Sequence, residues 1–207
     1  MNAKLYGILD LGYVSADQAL PTAAKMLEGG VGILQLRAKG HPPQQLLPLA
    51  AALRALCQSA NVPFIVNDHP QLAKACGAHG VHVGQDDLSV AETRTLAGPG
   101  MMVGKSTHSL AQAIAAMDER PDYLGFGPLF ATATKPDYVP VGLSDIHAVH
   151  EAVSLPVFCI GGIKRENLPE VIAAGARRVV IVSGILLAPE IASYCRDCLE
   201  LLNRVAD

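Results

Sequence analysis

The sequence is poor in the features on which nucleic-acid-binding and membrane proteins depend. It has no tryptophan, its aromatic residues make up 4% of the chain, and its formal net charge is −3. A base-stacking surface or a general electrostatic attraction to nucleic acid or anionic lipid is therefore not expected. No apolar run reaches the roughly 20 residues that cross a bilayer, and no basic segment followed by an apolar core opens the chain. We expect a cytoplasmic protein with no nucleic-acid or membrane partner.

The cysteines do not form the patterns typical of disulfide frameworks, redox sites or zinc sites. The five cysteines are an odd number, scattered along a chain without an export signal, so reduced thiols are expected rather than a disulfide framework. Cys195 and Cys198 form a C-x-x-C, but they fall inside the predicted last helix and not at a helix start that follows a strand. No second pair exists to complete a zinc site. We interpret the pair as helix packing, with a redox or metal role as the alternative.

What the sequence does contain is an alternation of short β-rich runs with longer helical patterns, repeated eight times. Hydrophobic residues make up 50% of the 207 residues and charged residues 17%, which suits parallel strands buried on both faces. The predicted strands cover 4–10, 32–36, 63–66, 80–83, 101–104, 123–126, 156–160 and 179–182. The predicted helices cover 17–28, 43–60, 71–76, 90–97, 110–119, 144–152, 165–174 and 189–206. The pattern predicts one parallel (β/α)8 barrel domain spanning residues 1–207.

An open doubly wound sheet is the competing architecture. That fold ordinarily carries a glycine-rich phosphate-binding fingerprint directly after its first strand. The corresponding residues here are Asp10-Leu11-Gly12-Tyr13, which do not match it. The closed barrel is therefore favoured.

Polar residues and glycines collect at the carboxyl ends of the predicted strands. In a closed barrel these ends meet at one rim, where barrel enzymes carry their catalytic groups. In chain order the rim residues are Gln35, Arg37, Lys39, Asn67, Asp68, Gln85, Asp86, Asp87, Ser106, Thr107, His108, Thr132, Thr134, Lys135, Gly161, Gly162, Ser183 and Gly184. Of the histidines, only His108 is expected to touch a ligand.

Two groups of charged residues at this rim predict an anion site and a metal site. Gln35, Arg37 and Lys39 are spaced by two, so they project from one face of a strand and form an anion clamp. A solvated polar turn is the alternative. Asp68 and Asp87 follow neighbouring strands, and two such carboxylates suit Mg²⁺, which keeps several waters and bridges to phosphate oxygens. Asp68 taken alone could instead cap the helix that follows it.

Two glycine-containing turns after the seventh and eighth predicted strands predict a phosphate site at the same rim. Gly161-Gly162 and Ser183-Gly184 expose backbone N–H groups near a helix start, which is the usual phosphate site of this fold. The segment Thr132-Ala133-Thr134-Lys135 adds hydroxyls and one cation, and could close over a ligand. A polar surface loop is the alternative for that segment.

At these residues the sequence resembles the thiamine phosphate synthase family nearly end to end. The matching motifs are Gln35-Leu36-Arg37-Ala38-Lys39, Asn67-Asp68, Gly80-Val81-His82-Val83-Gly84-Gln85-Asp86-Asp87-Leu88, Ser106-Thr107-His108-Ser109, Gly125-Phe126-Gly127-Pro128, Thr132-Ala133-Thr134-Lys135 and Ile160-Gly161-Gly162-Ile163. The resemblance implies a transferase of thiamine biosynthesis. It would join 4-amino-2-methyl-5-hydroxymethylpyrimidine diphosphate to a thiazole phosphate, with Mg²⁺ as cofactor and release of diphosphate.

The resemblance also implies roles for individual residues. Asp68 and Asp87 would bind Mg²⁺, and Arg37, Lys39 and Lys135 would act in catalysis. The pyrimidine diphosphate would be bound by Gln35, Arg37, Lys39, Asn67, Ser106 and Lys135. The thiazole phosphate would be bound by Thr132, Thr134, Gly162, Val182 and Ser183.

Two other functions remain open at the level of sequence. A thiazole tautomerase shares the barrel and the thiazole phosphate site, but not the full diphosphate and metal set that is present here. A non-catalytic barrel that binds a thiamine precursor is the second. Lys105 departs from the family pattern, because a small apolar residue is usual at that position.

Overall fold

The computed structural model describes residues 2–132 and 139–204, and within them eight parallel strands form a closed barrel. Each strand pairs with the next along the chain, and β8 pairs with β1 to close the ring. The strands are β1 (Leu5–Asp10), β2 (Ile33–Arg37), β3 (Phe64–Asn67), β4 (Gly80–Val83), β5 (Met102–Thr107), β6 (Tyr123–Phe126), β7 (Val157–Cys159) and β8 (Val179–Ile181). The predicted barrel is confirmed, and the open sheet is excluded.

Helices connect the strands and pack around the barrel. They are α1 (Ala16–Glu28), α2 (Pro43–Ser59), α3 (Pro70–Cys76), α4 (Val90–Ala97), α5 (Leu110–Ala116), a 3₁₀ turn (Met117–Glu119), α6 (Ile146–Ala152), α7 (Leu168–Ala173), α8 (Ser183–Leu186) and α9 (Ile191–Asn203). Local sequence sets several ends: Ser89 and Glu92 form a capping box at the start of α4, and Gly77 ends α3 in the left-handed conformation. No helix in the described part of the chain is long and apolar enough to cross a membrane.

The C-x-x-C pair lies on the inner face of α9. Cys195 and Cys198 are both fully buried within the core between the helices and the strands. Burial raises the pKa of each thiol to about 12, so neither is a thiolate at neutral pH. The interpretation as helix packing is supported.

The structure differs from the predicted boundaries mainly at strand ends and around one short helix. β5 continues to Thr107, whereas the sequence predicted its end at residue 104, because hydrogen bonds with β6 carry the ladder past the polar residues. The short helix α8 was not predicted, since glycine and serine at its start resemble a loop. Helices α6, α7 and α9 all begin later than predicted.

Alternation along the strands divides the barrel into two apolar layers. Outward-facing residues pack against the helices, and inward-facing residues such as Tyr6, Tyr123 and Phe158 fill the barrel interior. The register places Asp10 opposite Arg37 at the carboxyl ends of β1 and β2. Toward that end of the barrel the apolar filling gives way to polar side chains such as Gln35 and Arg37.

Candidate active site

A cavity opens at the carboxyl ends of the strands. Its volume is about 800 Å³ when the part open to solvent is included, which is the size range of small-molecule sites. The lining residues are Ile8, Gln35, Arg37, Asn67, His82, Ser106, Thr107, His108, Gly125, Gly127, Pro128, Thr132, Ile160, Gly161, Gly162, Ile163, Val180, Val182 and Ser183. Ten of the predicted rim residues are in this lining, whereas the described residues Lys39, Asp68, Gln85, Asp86, Asp87 and Gly184 are not.

Arg37 is fixed at the cavity wall by a buried carboxylate. Its guanidinium donates a hydrogen bond of 2.6 Å to Asp10, whose other carboxylate oxygen accepts from the backbone N–H of Gly12 at 2.9 Å. The side chain of Asp10 is 2% exposed and that of Arg37 14%. Asp10 was not among the predicted site residues, although a carboxylate at the end of the first strand, next to the clamp strand, was a signal for it. The pair holds one cation of the clamp in a set orientation.

Lys39 and the two predicted metal ligands form a second charged group beside the cavity. The ammonium of Lys39 pairs with the carboxylate of Asp68. Burial raises the pKa of Asp68 above its usual value, the hydrogen bond from Lys39 lowers it, and the negative charge of Asp87 raises it. Asp87 also accepts a hydrogen bond of 2.7 Å from the backbone N–H of Gly84. The two carboxylates are therefore close enough to repel each other.

The alternative role of Asp68 as a helix cap is not supported. His69 and not Asp68 occupies the N-cap position of α3, and the His69 side chain makes no capping hydrogen bond. Asp68 itself has a left-handed backbone conformation, with φ of 61°. This conformation is uncommon for a residue other than glycine, and here it accompanies a carboxylate paired with Lys39 rather than with the helix start.

Both predicted glycine turns contribute residues to the cavity wall, namely Gly161, Gly162 and Ser183. Gly161 and Gly162 both have left-handed backbone conformations, with φ of 100° and 66°. A Cβ on Gly162 would lie 2.7 Å from the Cβ of Phe130, so the close approach of these two segments requires glycine. Ser183 begins α8 next to Val182. Thr132 lines the same wall, whereas Thr134 and Lys135 lie outside the described residues.

Two histidines line the cavity, whereas the sequence predicted only one. His108 lines the cavity as expected, but so does His82, which was not predicted to touch a ligand. The ring of His82 hydrogen-bonds to Ser106 Oγ at 2.9 Å, and the side chain of Gln85 donates to the Ser106 carbonyl at 2.5 Å. His150 on α6 is half-buried, and burial together with the positive charges of Arg177 and Arg178 lowers its pKa to about 4.

Lys105 points away from the cavity, because it alternates with Ser106 on β5. Its side chain is 5% exposed, and its ammonium lies 3.6 Å from a carboxylate oxygen of Glu119. This departure from the family pattern therefore concerns the layer between strands and helices and leaves the cavity wall unchanged.

The chain matches the family model described as thiamine monophosphate synthase over residues 5–185. The chain belongs to the thiamine monophosphate synthase family. Among curated relatives, the thiamine-phosphate synthase of Pelotomaculum thermopropionicum is 40% identical, with 100% of this chain and 95% of that protein covered. The thiamine-phosphate synthase of Shouchella clausii is 41% identical and covers 98% of both chains.

A solved structure shows the same likeness in three dimensions. The thiamine phosphate pyrophosphorylase of Pyrococcus furiosus superposes with a TM-score of 0.91 at 29% identity, with 99% of this chain and 98% of that chain covered. These comparisons confirm the resemblance found in the sequence. The chain is an enzyme of thiamine biosynthesis, a transferase that makes thiamine phosphate from small-molecule substrates.

Proposed function

We propose that this family member joins 4-amino-2-methyl-5-hydroxymethylpyrimidine diphosphate to a thiazole phosphate in the cavity at the strand ends. One observation carries the proposal: residues predicted for both substrates line the same cavity. Gln35, Arg37, Asn67 and Ser106 line it on the pyrimidine side, and Thr132, Gly162, Val182 and Ser183 line it on the thiazole side. Two substrates held in one cavity can react without a covalent enzyme intermediate.

The diphosphate would lie between Arg37 and Lys39. Arg37 already has its orientation set by Asp10, so it can offer its remaining N–H groups to phosphate oxygens without losing further side-chain freedom. Lys39 would supply the second positive charge, and its side chain is 55% exposed and ion-paired with Asp68. Lys135 remains a predicted third cation, outside the described residues.

The residues present fit a hard divalent cation. Burial raises the pKa of Asp68, and the negative charge of Asp87 raises it further, so a cation held by these two carboxylates would offset their repulsion. The described residues contain no group of three or more His, Cys, Asp or Glu side chains that could hold a metal ion. Two carboxylates suit Mg²⁺ that retains waters and phosphate oxygens as its other ligands. When bound, Mg²⁺ would neutralise charge on the leaving diphosphate.

The reaction needs no protein nucleophile or strong base. The bond from the pyrimidine methylene carbon to the diphosphate oxygen breaks, and the electron pair leaves with the oxygen. The aminopyrimidine ring stabilises the resulting methylene cation, and the lone pair of the thiazole nitrogen then forms the new carbon–nitrogen bond. Arg37 and Lys39 stabilise the charge that grows on the diphosphate, which is where preorganised cations lower a barrier most.

The direct test is incubation of the purified protein with both phosphorylated precursors and Mg²⁺, followed by mass detection of thiamine phosphate. We expect equal amounts of thiamine phosphate and diphosphate. Tautomerisation of the thiazole phosphate without diphosphate release would indicate the tautomerase, and binding without turnover would indicate a non-catalytic barrel.

The metal site has its own test in Asp87→Asn, with Asp86→Asn as the matched control on the neighbouring carboxylate. Asp87→Asn should raise the Mg²⁺ concentration that gives half-maximal rate and slow turnover, because one ligand charge is lost. Asp86→Asn should keep the wild-type Mg²⁺ dependence. Full activity of the wild-type protein in excess chelator would contradict the metal assignment.

A further inference from the structure

A continuous chain of hydrogen bonds runs through the barrel interior beneath the cavity. Gln35 Nε2 donates to the hydroxyl of Tyr6 at 2.5 Å, and the Tyr6 and Tyr123 hydroxyls are 3.0 Å apart. The Tyr123 hydroxyl lies 3.2 Å from His82 Nδ1, and His82 Nε2 lies 2.9 Å from Ser106 Oγ. Gln35, His82 and Ser106 line the cavity, whereas the two tyrosines lie below it and are 1% exposed.

The hydrogen bonds of this chain run in one favoured direction from donor to acceptor. Burial raises the pKa of both tyrosines well above its usual value, so each keeps one hydroxyl hydrogen. The Tyr6 oxygen accepts from Gln35. Both hydroxyl hydrogens then find an acceptor in this chain only if Tyr6 donates to Tyr123 and Tyr123 donates to His82 Nδ1. His82 is consequently the neutral tautomer with its hydrogen on Nε2, which donates to Ser106.

One end of the hydrogen-bond chain presents an acceptor to the cavity, and the other end presents a donor. Gln35 Oε1 is buried and has no hydrogen-bond partner among the described residues, so it is an acceptor that a ligand donor would satisfy. At the other end, Ser106 Oγ already accepts from His82, which leaves its own hydrogen for an acceptor in the cavity. An aminopyrimidine diphosphate could bind both ends. Its exocyclic amine is a donor for Gln35 Oε1, and its ring nitrogens and phosphate oxygens are acceptors for the Ser106 hydroxyl.

We propose that Tyr6 and Tyr123 are positioning residues that, through Gln35 and His82, present an acceptor and a donor to the pyrimidine substrate. The identity of that ligand rests on the proposed function, whereas the direction of the chain does not. Neither tyrosine touches the substrate, and each acts through a residue that lines the cavity.

The glycine on β5 makes this arrangement possible. A Cβ on Gly104 would lie 2.5 Å from His82 Nδ1 and would overlap the ring of Tyr123. The missing side chain therefore leaves room for the bond between these two residues. The tyrosine rings also have a packing role, since both contact Phe158 edge to face, with centroid distances of 5.5 and 5.7 Å.

Packing and positioning can be separated by substitution. Tyr6→Phe and Tyr123→Phe keep each ring and remove only a hydroxyl. Phe158→Leu is the matched control, because it loosens the same apolar cluster without touching the hydrogen-bond chain. All three should lower thermal stability.

The first measurement is ¹⁵N NMR of the His82 ring in the ligand-free full chain, assigned by comparison with His82→Gln. Wild type should show the neutral Nε2–H tautomer. Tyr123→Phe should shift the ring toward a mixture of tautomers, while Tyr6→Phe and Phe158→Leu should retain the wild-type form. An Nδ1–H tautomer in wild type, or an unchanged tautomer in Tyr123→Phe, would overturn the proposal. This result is independent of whether the protein makes thiamine phosphate.

The second measurement is steady-state kinetics with both precursors. Each tyrosine variant should raise KM for the pyrimidine diphosphate about tenfold or more, the scale of one misplaced hydrogen bond, with KM for the thiazole phosphate within about twofold of wild type. Phe158→Leu should leave both KM values within about twofold of the wild-type values. Unchanged KM values in both tyrosine variants, or an equal rise in Phe158→Leu, would show that the tyrosines only pack.

Discussion

Lys39→Ala offers the sharpest test of how the clamp works, because its effects on stability and on rate can be measured on the same preparation. The lysine side chain is 55% exposed, but that of its partner Asp68 is only 12% exposed, so the variant leaves a largely buried carboxylate without its cation. We therefore expect Lys39→Ala to fold but to unfold at a lower denaturant concentration than wild type.

The rate of the chemical step should fall as well. Negative charge grows on the diphosphate as its bond to carbon breaks, and a positioned ammonium gains attraction in that step. Removal of one such group typically lowers kcat by roughly a hundredfold or more. Affinity for the pyrimidine diphosphate should fall by less, since Arg37 and its partner Asp10 remain in place. The Mg²⁺ requirement should not rise, because both predicted metal ligands are retained.

Single-turnover kinetics on the variant, with urea unfolding of the same preparation, measures both quantities. Lys74→Ala is the matched control, since Lys74 is an exposed lysine near the end of α3. A chemical step within about threefold of wild type, or a loss of rate that follows a loss of folded protein, would refute the assigned role.

Three further outcomes follow from buried groups away from the clamp. Replacing both Cys195 and Cys198 with alanine should lower stability, because both are fully buried, and leave the rate per folded molecule unchanged; stoichiometric zinc in wild type that is lost in the variant would contradict this. Burial lowers the pKa of His150 from 6.5 to about 4, so the unfolded chain binds a proton that the native protein does not, and the unfolding free energy should fall as the pH drops through this interval. Urea titrations at several pH values should show that the unfolding free energy of His150→Asn depends less on pH than that of wild type. An identical pH dependence would exclude this histidine as the cause. Gly104→Ala should lower the unfolding free energy by about 1–3 kcal/mol and raise KM for the pyrimidine diphosphate, because the added methyl group overlaps the Tyr123 ring. A wild-type unfolding free energy together with a wild-type KM would contradict the packing of this residue.

The sequence by itself determined the fold and most of the cavity wall. Alternation of β-rich and helical segments predicted the barrel, because parallel strands need a helical crossover between them and burial on both faces. Strand ends then predicted the rim, and Gln35, Arg37, Asn67, His108 and Ser183 all line the cavity. These residues were predictable because a closed barrel brings every strand end to the same side.

Tertiary structure alone decided which side chains meet across the barrel. Asp10 and Arg37 become partners through the register of β1 and β2, and Tyr6 meets Tyr123 across the interior over a separation of 117 residues. No local pattern encodes these pairs, because an inward-facing tyrosine on a strand reads as core packing whether or not its hydroxyl finds a partner. His82 was missed for the same reason, since its role comes from the neighbours that closure of the barrel supplies.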